Sequence, residues 1–339
     1  MSCVCHALSM TGPRRITFVT SPARCNLRCS VCRDHSPFRE RPPATDELPL
    51  DLVARVIDEE RGRDLVEVIP STRGEPLLWP GFAALASLCE ERGVLLNVTT
   101  NGTFPRLGAG AWAERLAAAA SDVKISWNGA CAETAEALME GLRFESAVDG
   151  VRALVAARDL RRARGERATR VTFQVTAREG NVEEIPEIVE LAATLGVDRV
   201  KVNQLQVHFP VLAEEDLRRS PASRARWNAA VRAAHAVANR HRRAGSTISL
   251  ENLVLLPDEG RPLPGPCPFL GREAWILQDG CFAPCPAPAG LDGRMGTFGS
   301  VRETTLAAIW EGAAYRELVA SSASHPECAR CALRRPGGV

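Results

Sequence analysis

Between residues 16 and 203, short apolar runs alternate with stretches that repeat their apolar residues at helical spacing. The runs at 16–20, 65–70, 94–100, 122–127, 170–176 and 198–203 predict strands. Between them, Leu52, Val53, Val56 and Ile57 form one helical stripe, and Phe82, Leu85 and Cys89 a second that stops near Gly93. An alanine-rich stretch at 111–120 predicts a third helix. Phe144, Val148, Val151 and Val155 carry a fourth, and 183–195 a fifth. Six β–α alternations predict an α/β fold with a parallel sheet and helices outside it. In such folds functional side chains belong at the C-terminal ends of the strands.

The rhythm changes after residue 210. A long polar helix is predicted over 223–243 and a further strand over 247–253. A Pro- and Gly-rich connector follows at 256–266. The expected organisation is an α/β barrel over 14–210, a helix and strand connection over 211–256, and a cysteine-bearing domain over 257–339. That last segment has few long periodic runs and is too small to bury much core, which suits a module built around metal.

Composition narrows the class. The chain has 339 residues and a net charge of +1, with no basic footprint for nucleic acid and no acidic tail. No run approaches transmembrane length, and the N-terminus lacks the apolar core of a signal peptide. A cytoplasmic protein is expected, with no membrane and no nucleic-acid partner. Twelve cysteines in that setting suggest metal or redox chemistry more than disulfides. Only two lysines occur, Lys124 and Lys201, in a chain rich in arginine.

Three of the cysteines stand out. Cys25, Cys29 and Cys32 lie within eight residues, just past the first predicted strand. A cubic iron–sulfur cluster normally takes four thiolates, so three leave one iron open to another ligand. Zinc is the alternative for such a loop. Further on, Cys267 and Cys285 are separated by 17 residues, and the pair Cys328 and Cys331 follows after 42 more. Four thiols suit a closed iron–sulfur cluster, with zinc again the alternative. Cys3, Cys5, Cys89, Cys131 and Cys281 are left over.

With these landmarks in order, the chain resembles the radical S-adenosylmethionine (SAM) enzymes. The stretch CNLRCSVC at 25–32 resembles their cluster motif. RGEP at 73–76 resembles the GGEP motif that holds the SAM amino group, through Gly74 and Glu75. TTNGT at 99–103, which includes Asn101, matches the end of the third strand. ISWNG at 125–129 resembles the fourth-strand motif, whose Ser126 and Asn128 would contact SAM. GVDRVKV at 196–202 is similar to the sixth-strand region beside adenine, with Val202 there. The C-terminal cysteine pattern is similar to a Twitch domain, a shorter relative of SPASM domains. The resemblance implies a partial (β/α)6 TIM-like barrel with a small C-terminal iron–sulfur domain. It also implies SAM and two [4Fe–4S] clusters, one open at Cys25, Cys29 and Cys32, and one auxiliary at Cys267, Cys285, Cys328 and Cys331. Two positions depart from the family pattern. Val31 stands where an aromatic residue is usual, and Arg73 where a glycine is usual.

In such enzymes a one-electron donor, a flavodoxin or ferredoxin, reduces the cluster, and SAM gives a 5′-deoxyadenosyl radical that removes a substrate hydrogen. Lys124 shares a strand face with Ser126 and Asn128, and Lys201 shares one with Asn203. Both lysines are candidate general bases, with ion pairs at the barrel base as the alternative. Gln174, Gln204, His208 and Glu251 are further inward or top-face polar groups. A peptide-recognition domain ahead of the barrel would not fit before residue 25, which favours a small-molecule substrate. The cysteine spacing resembles that of aminoglycoside-pathway enzymes. The leading expectation is therefore an oxidoreductase that converts a secondary alcohol of an aminocyclitol or amino sugar to a ketone, in antibiotic biosynthesis. Alternatives are an epimerase using a thiol such as Cys131 as hydrogen donor, a peptide-modifying enzyme with a separate recognition chain, and a non-catalytic metal protein.

Overall fold

The computed structural model describes residues 11–70, 73–257, 259, 265–331 and 333–334. Cys3 and Cys5 lie outside the described residues, as do parts of the connector and of the C-terminus.

Seven parallel strands build the barrel wall: β1 (Arg15–Phe18), β2 (Glu67–Pro70), β3 (Leu95–Thr100), β4 (Ala120–Ser126), β5 (Arg170–Ala177), β6 (Arg199–Gln204) and β7 (Ser249–Glu251). Two more, β8 (Glu273–Ile276) and β9 (Phe282–Ala283), complete a nine-stranded sheet in the order β9-β8-β1-β2-β3-β4-β5-β6-β7. The sheet is open, with β7 and β9 at its edges. The central sheet is largely parallel and the fold is mixed α/β.

Strand periodicity separates two layers. Ile16, Phe18, Val68, Val98, Val123, Ile125, Val171, Phe173, Val175 and Val200 are fully buried on the face that meets the helices. Burying each such side chain contributes about 1.5–3 kcal/mol. The opposite face is polar: Thr17, Asn97, Asp122, Lys124 and Thr172 are buried there, facing one another across the barrel. The helices α1 (Leu50–Glu60), α2 (Phe82–Arg92), α3 (Ala109–Ala119), α4 (Phe144–Ala163), α5 (Ile185–Thr194) and α6 (Pro221–Arg243) cover the outside.

Local chemistry fixes the helix ends. Val53, Val56, Ile57 and Glu60 are the buried stripe of α1. Gly93 closes α2 in the left-handed region, at φ 66°, where a side chain would strain the backbone. Ser220 caps α6 by accepting from the Ser223 N–H, and Pro221 occupies the first turn. Trp227, fully buried on α6, donates from its indole N–H to the Val254 carbonyl at 2.9 Å, fastening the chain that follows β7.

The segment past residue 267, poor in long periodic runs, nonetheless packs an aromatic core. Phe282, Phe298, Trp310 and Tyr315 pack edge to face or tilted, with ring centroids 5.0–6.5 Å apart. The sheet also runs across the connector. β8 pairs in parallel with β1, placing Glu273 opposite Arg15 and Ile276 opposite Phe18. Among the described residues, no helix is long and apolar enough to cross a membrane.

Candidate active site

The loop after β1 carries the first three thiols. Its second cysteine lies in a short ribbon, Arg28–Cys29 paired with Met139–Glu140, which anchors the loop above β4. The Cys32 N–H donates to the Cys29 carbonyl at 3.0 Å, so the loop turns tightly between those two sulfurs. Cys25 accepts a long contact from the Asn101 amide at 3.8 Å, and Cys32 accepts from the His35 N–H at 3.4 Å. The structure therefore brings Cys25, Cys29, Cys32 and Asn101 together at the strand ends.

Burial raises the pKa of all three thiols, Cys25 to about 11; neighbouring cysteines add to the rise at Cys25 and Cys29, and Asp34 adds to it at Cys32. Protein alone thus disfavours the thiolates, and bound iron would supply the compensating positive charge. Among the described residues, no three His, Cys, Asp or Glu side chains gather as they would around a single metal ion. A half-buried, all-sulfur donor set on one loop fits an iron–sulfur cluster.

Glu75 occupies the end of the β2 loop and is 1% exposed. Its carboxylate accepts from the Thr100 hydroxyl at 2.8 Å, the Asn101 N–H at 2.7 Å and the Leu77 N–H at 3.2 Å. Burial pushes its pKa up to about 7, against the pull of those donors. Both oxygens are spent inside the protein, so Glu75 ties the end of β3 to the cysteine loop. Gly74 has no room for a side chain: a Cβ there would stand 2.5 Å from the Ser21 carbonyl and 2.8 Å from that of Arg24. The Glu75 N–H donates to the Arg24 carbonyl at 2.7 Å, one residue before Cys25.

At the β4 end, Ser126 is half-buried and in register with Gln174. Asn128 accepts from the Thr176 N–H at 2.8 Å, and its carbonyl accepts from Asn181 at 2.9 Å, which knits the ends of β4 and β5. Val202 is 1% exposed within the apolar layer, so it turns no side chain into the barrel. Cys131 is exposed at the start of the short helix Ala132–Leu138, with its sulfur 3.8 Å from the Thr134 hydroxyl.

Both lysines point into the barrel, and both are paired. Lys124 donates to the Asn97 side chain at 2.8 Å, and burial lowers its pKa to about 8. Lys201 pairs with Glu251 at 2.7 Å, beside Arg199 at 2.9 Å from the same carboxylate. Arg15, Glu67 and Glu273 continue this belt of charge at the barrel floor. His208 lies near Arg33, Asp34, Arg73 and Asp292, and burial depresses its pKa.

Sequence reasoning missed the groups that brace the cysteine loop. Arg178, at the end of β5, donates to the Ser30 hydroxyl at 2.7 Å and to Glu215 at 3.0 Å. Arg73 meets Asp34 through two parallel bonds of 2.7 and 2.8 Å. Arg33 pairs with Asp292 in the C-terminal segment. Nothing in local spacing marks these partners, because each joins residues far apart in the chain.

The second set of thiols lines a cavity of about 250 Å³. Cys267, Cys285, Cys328 and Cys331 all face it, together with Gln206 and Val207 from the loop after β6. Burial raises the pKa of Cys285 to about 12 and of Cys328 to about 11, and nearby thiols add to the rise. Gly290 is kept small here: a Cβ would stand 2.7 Å from the Cys285 sulfur. Four sulfurs around one hollow fit a closed cluster. Cys281 bridges to Ser300 instead, and the charges acting on it come from Asp279, Glu303 and Arg302, none of them from this set. Cys89 is buried in the apolar core under α2, as its helical stripe implied.

A family model described as the radical SAM superfamily matches residues 19–159, and one described as an iron–sulfur cluster-binding domain (SPASM) matches 267–332. The chain is 23% identical to the tungsten-containing aldehyde ferredoxin oxidoreductase cofactor-modifying protein of Pyrococcus furiosus, over 92% of this chain and 85% of that protein. It is 26% identical to the PqqA peptide cyclase of Granulibacter bethesdensis, over 92% of this chain and 78% of that protein. Matches to other PqqA peptide cyclases span 44–45% of those proteins. Among solved structures, Streptococcus suis SuiB bound to the precursor peptide SuiA superposes with a TM-score of 0.67 at 16% identity, covering 95% of this chain and 70% of that one. At that identity the likeness speaks for the fold.

Proposed function

Because this chain carries a radical SAM domain followed by a SPASM-type iron–sulfur domain, with the cofactors those domains imply, we propose that it modifies a peptide substrate by hydrogen abstraction. The observation that carries this reading is the near full-length similarity to a PqqA peptide cyclase. The expected aminocyclitol dehydrogenase finds no such relative among these matches, so the peptide-modifying alternative takes precedence.

When bound at Cys25, Cys29 and Cys32, the first cluster with SAM supplies a one-electron cleavage that generates a carbon radical able to take a substrate hydrogen. The protein's part is placement. Glu75 holds the end of β3 against the cysteine loop, and Asn101 sits between that carboxylate and Cys25. Ser126 stands at the mouth with Gln174 beside it. Lys124, bonded to Asn97, and Lys201, paired with Glu251, are held at the barrel floor, and proton transfer falls to groups nearer the mouth. Cys267, Cys285, Cys328 and Cys331 would hold the auxiliary cluster, which suits taking up the second electron of a net oxidation, while a flavodoxin or ferredoxin supplies the electron for SAM cleavage.

The test is anaerobic incubation of the reconstituted chain with SAM, a reductant and candidate peptides or pseudo-oligosaccharides. A peptide product lighter by the mass of two hydrogens, formed together with 5′-deoxyadenosine, is the expected result. Turnover of a pseudo-oligosaccharide with no change in any peptide would overturn it.

A further inference from the structure

Arg73 stands where the family motif has a glycine, and the structure gives it a specific partner. Asp34, two residues past the third cysteine, has a fully buried side chain. Arg73 reaches it with two parallel bonds of 2.7 and 2.8 Å and is itself only 13% exposed. Arg39 stands 3.6 Å from the same carboxylate and donates to the Arg33 carbonyl at 2.9 Å. The cluster loop is therefore gripped from behind by a cationic pair centred on one carboxylate.

We propose that Arg73 and Asp34 form a positioning pair that clamps the loop after β2 to the back of the cysteine loop, fixing the Cys32 thiolate for its iron and for SAM. A fork-shaped guanidinium and a carboxylate lock each other's orientation as well as position. Breaking such a buried pair leaves one charge uncompensated, so removing either partner distorts the loop. Gly74, next to Arg73, has no free space, so any shift of Arg73 passes directly to the backbone that touches Arg24. The glycine found elsewhere in the family cannot make this contact, so the clamp is particular to chains that pair an arginine here with an aspartate there.

This inference rests on the radical SAM reading of Cys25, Cys29 and Cys32. The test compares reconstituted full-length wild type, R73L, R73K, D34N and R73L/D34N. The readouts are iron and acid-labile sulfide per chain, the rate of iron loss to a chelator, and the SAM-induced change in the electron paramagnetic resonance spectrum of the reduced protein. R73L and D34N are expected to lose iron from the N-terminal site roughly 10–100-fold faster and to lose the SAM-induced spectral change. The auxiliary cluster signal should stay. R73K should retain the spectral change with weaker SAM binding. R73L/D34N should be no worse than either single variant, because the two act as a unit.

A wild-type spectral response to SAM in R73L, or additive losses in the double variant, overturns the proposal. Should R73L lose both sites, R73K decides: SAM binding as tight as in wild type sinks the clamp, and weakened binding with the auxiliary signal intact supports it. If wild type itself shows no SAM response, the radical SAM reading fails and not merely the clamp.

Discussion

Lys124 is the residue where burial and charge pull hardest against each other. Burial lowers its pKa to about 8, with Lys201 and Arg15 adding to the fall and Asp122 and Glu67 opposing it. In the unfolded chain the same amine titrates near 10.4. A depressed folded pKa contributes stability above the unfolded pKa, and that contribution is lost as pH falls through the folded one. Wild type should therefore gain about 3 kcal/mol relative to K124M between roughly pH 8 and pH 10.5. Urea unfolding of both proteins across that range checks this, and parallel curves would count against a depressed Lys124 pKa. Glu75→Gln is a second case. The amide keeps the size but presents two donors where three donors already converge, so a loss of about 1–3 kcal/mol is expected, read from the same unfolding experiment. The sequence made both lysines visible through strand alternation, which placed them inside the barrel. It did not show that Asn97 and Glu251 meet them, because those partners lie on other strands and local spacing carries no sign of them.

Elements of the barrel were legible wherever a strand was long enough to show its period. β5 alternates polar and apolar residues along its whole length, β4 and β6 over four or five residues, and α1 repeats its stripe over two turns. β8 and β9 span four and two residues, and β8 is apolar or buried at every position, so no alternation betrays it. Its partner, β1, lies 258 residues away at the Arg15–Glu273 contact. The loops at the strand ends make a sharper demand on the backbone. Gly74→Ala would force a Cβ into two carbonyl oxygens that shape the cysteine loop. The expected outcome is a fold retained by circular dichroism with iron lost from the N-terminal site, costing about 1–3 kcal/mol in overpacking. Wild-type iron content in that variant would show that the loop has slack.

At the scale of the whole molecule, two sets of thiols should report independently. Replacing Cys25, Cys29 and Cys32 with serine should remove roughly half the iron, as should replacing Cys267 and Cys285, if each site holds a four-iron cluster. Only the first replacement should abolish SAM cleavage, measured as 5′-deoxyadenosine. Equal loss of SAM cleavage from both would point to one shared centre. The first site was plain in the sequence because its three cysteines fall within eight residues. The second was legible as a cysteine count, but the hollow that gathers it depends on Gly290 and the loop after β6, which no spacing rule connects.

The pairing of β8 with β1 has one more outcome. The strand that leads into the first cysteine loop is hydrogen-bonded directly to the strand that opens the second iron site's domain. The two thiol-bearing regions are thus joined through the register of one sheet, like two marks on a ruler, as well as through the linker. Electron tunnelling across the gap would then keep one characteristic rate, indifferent to solvent viscosity.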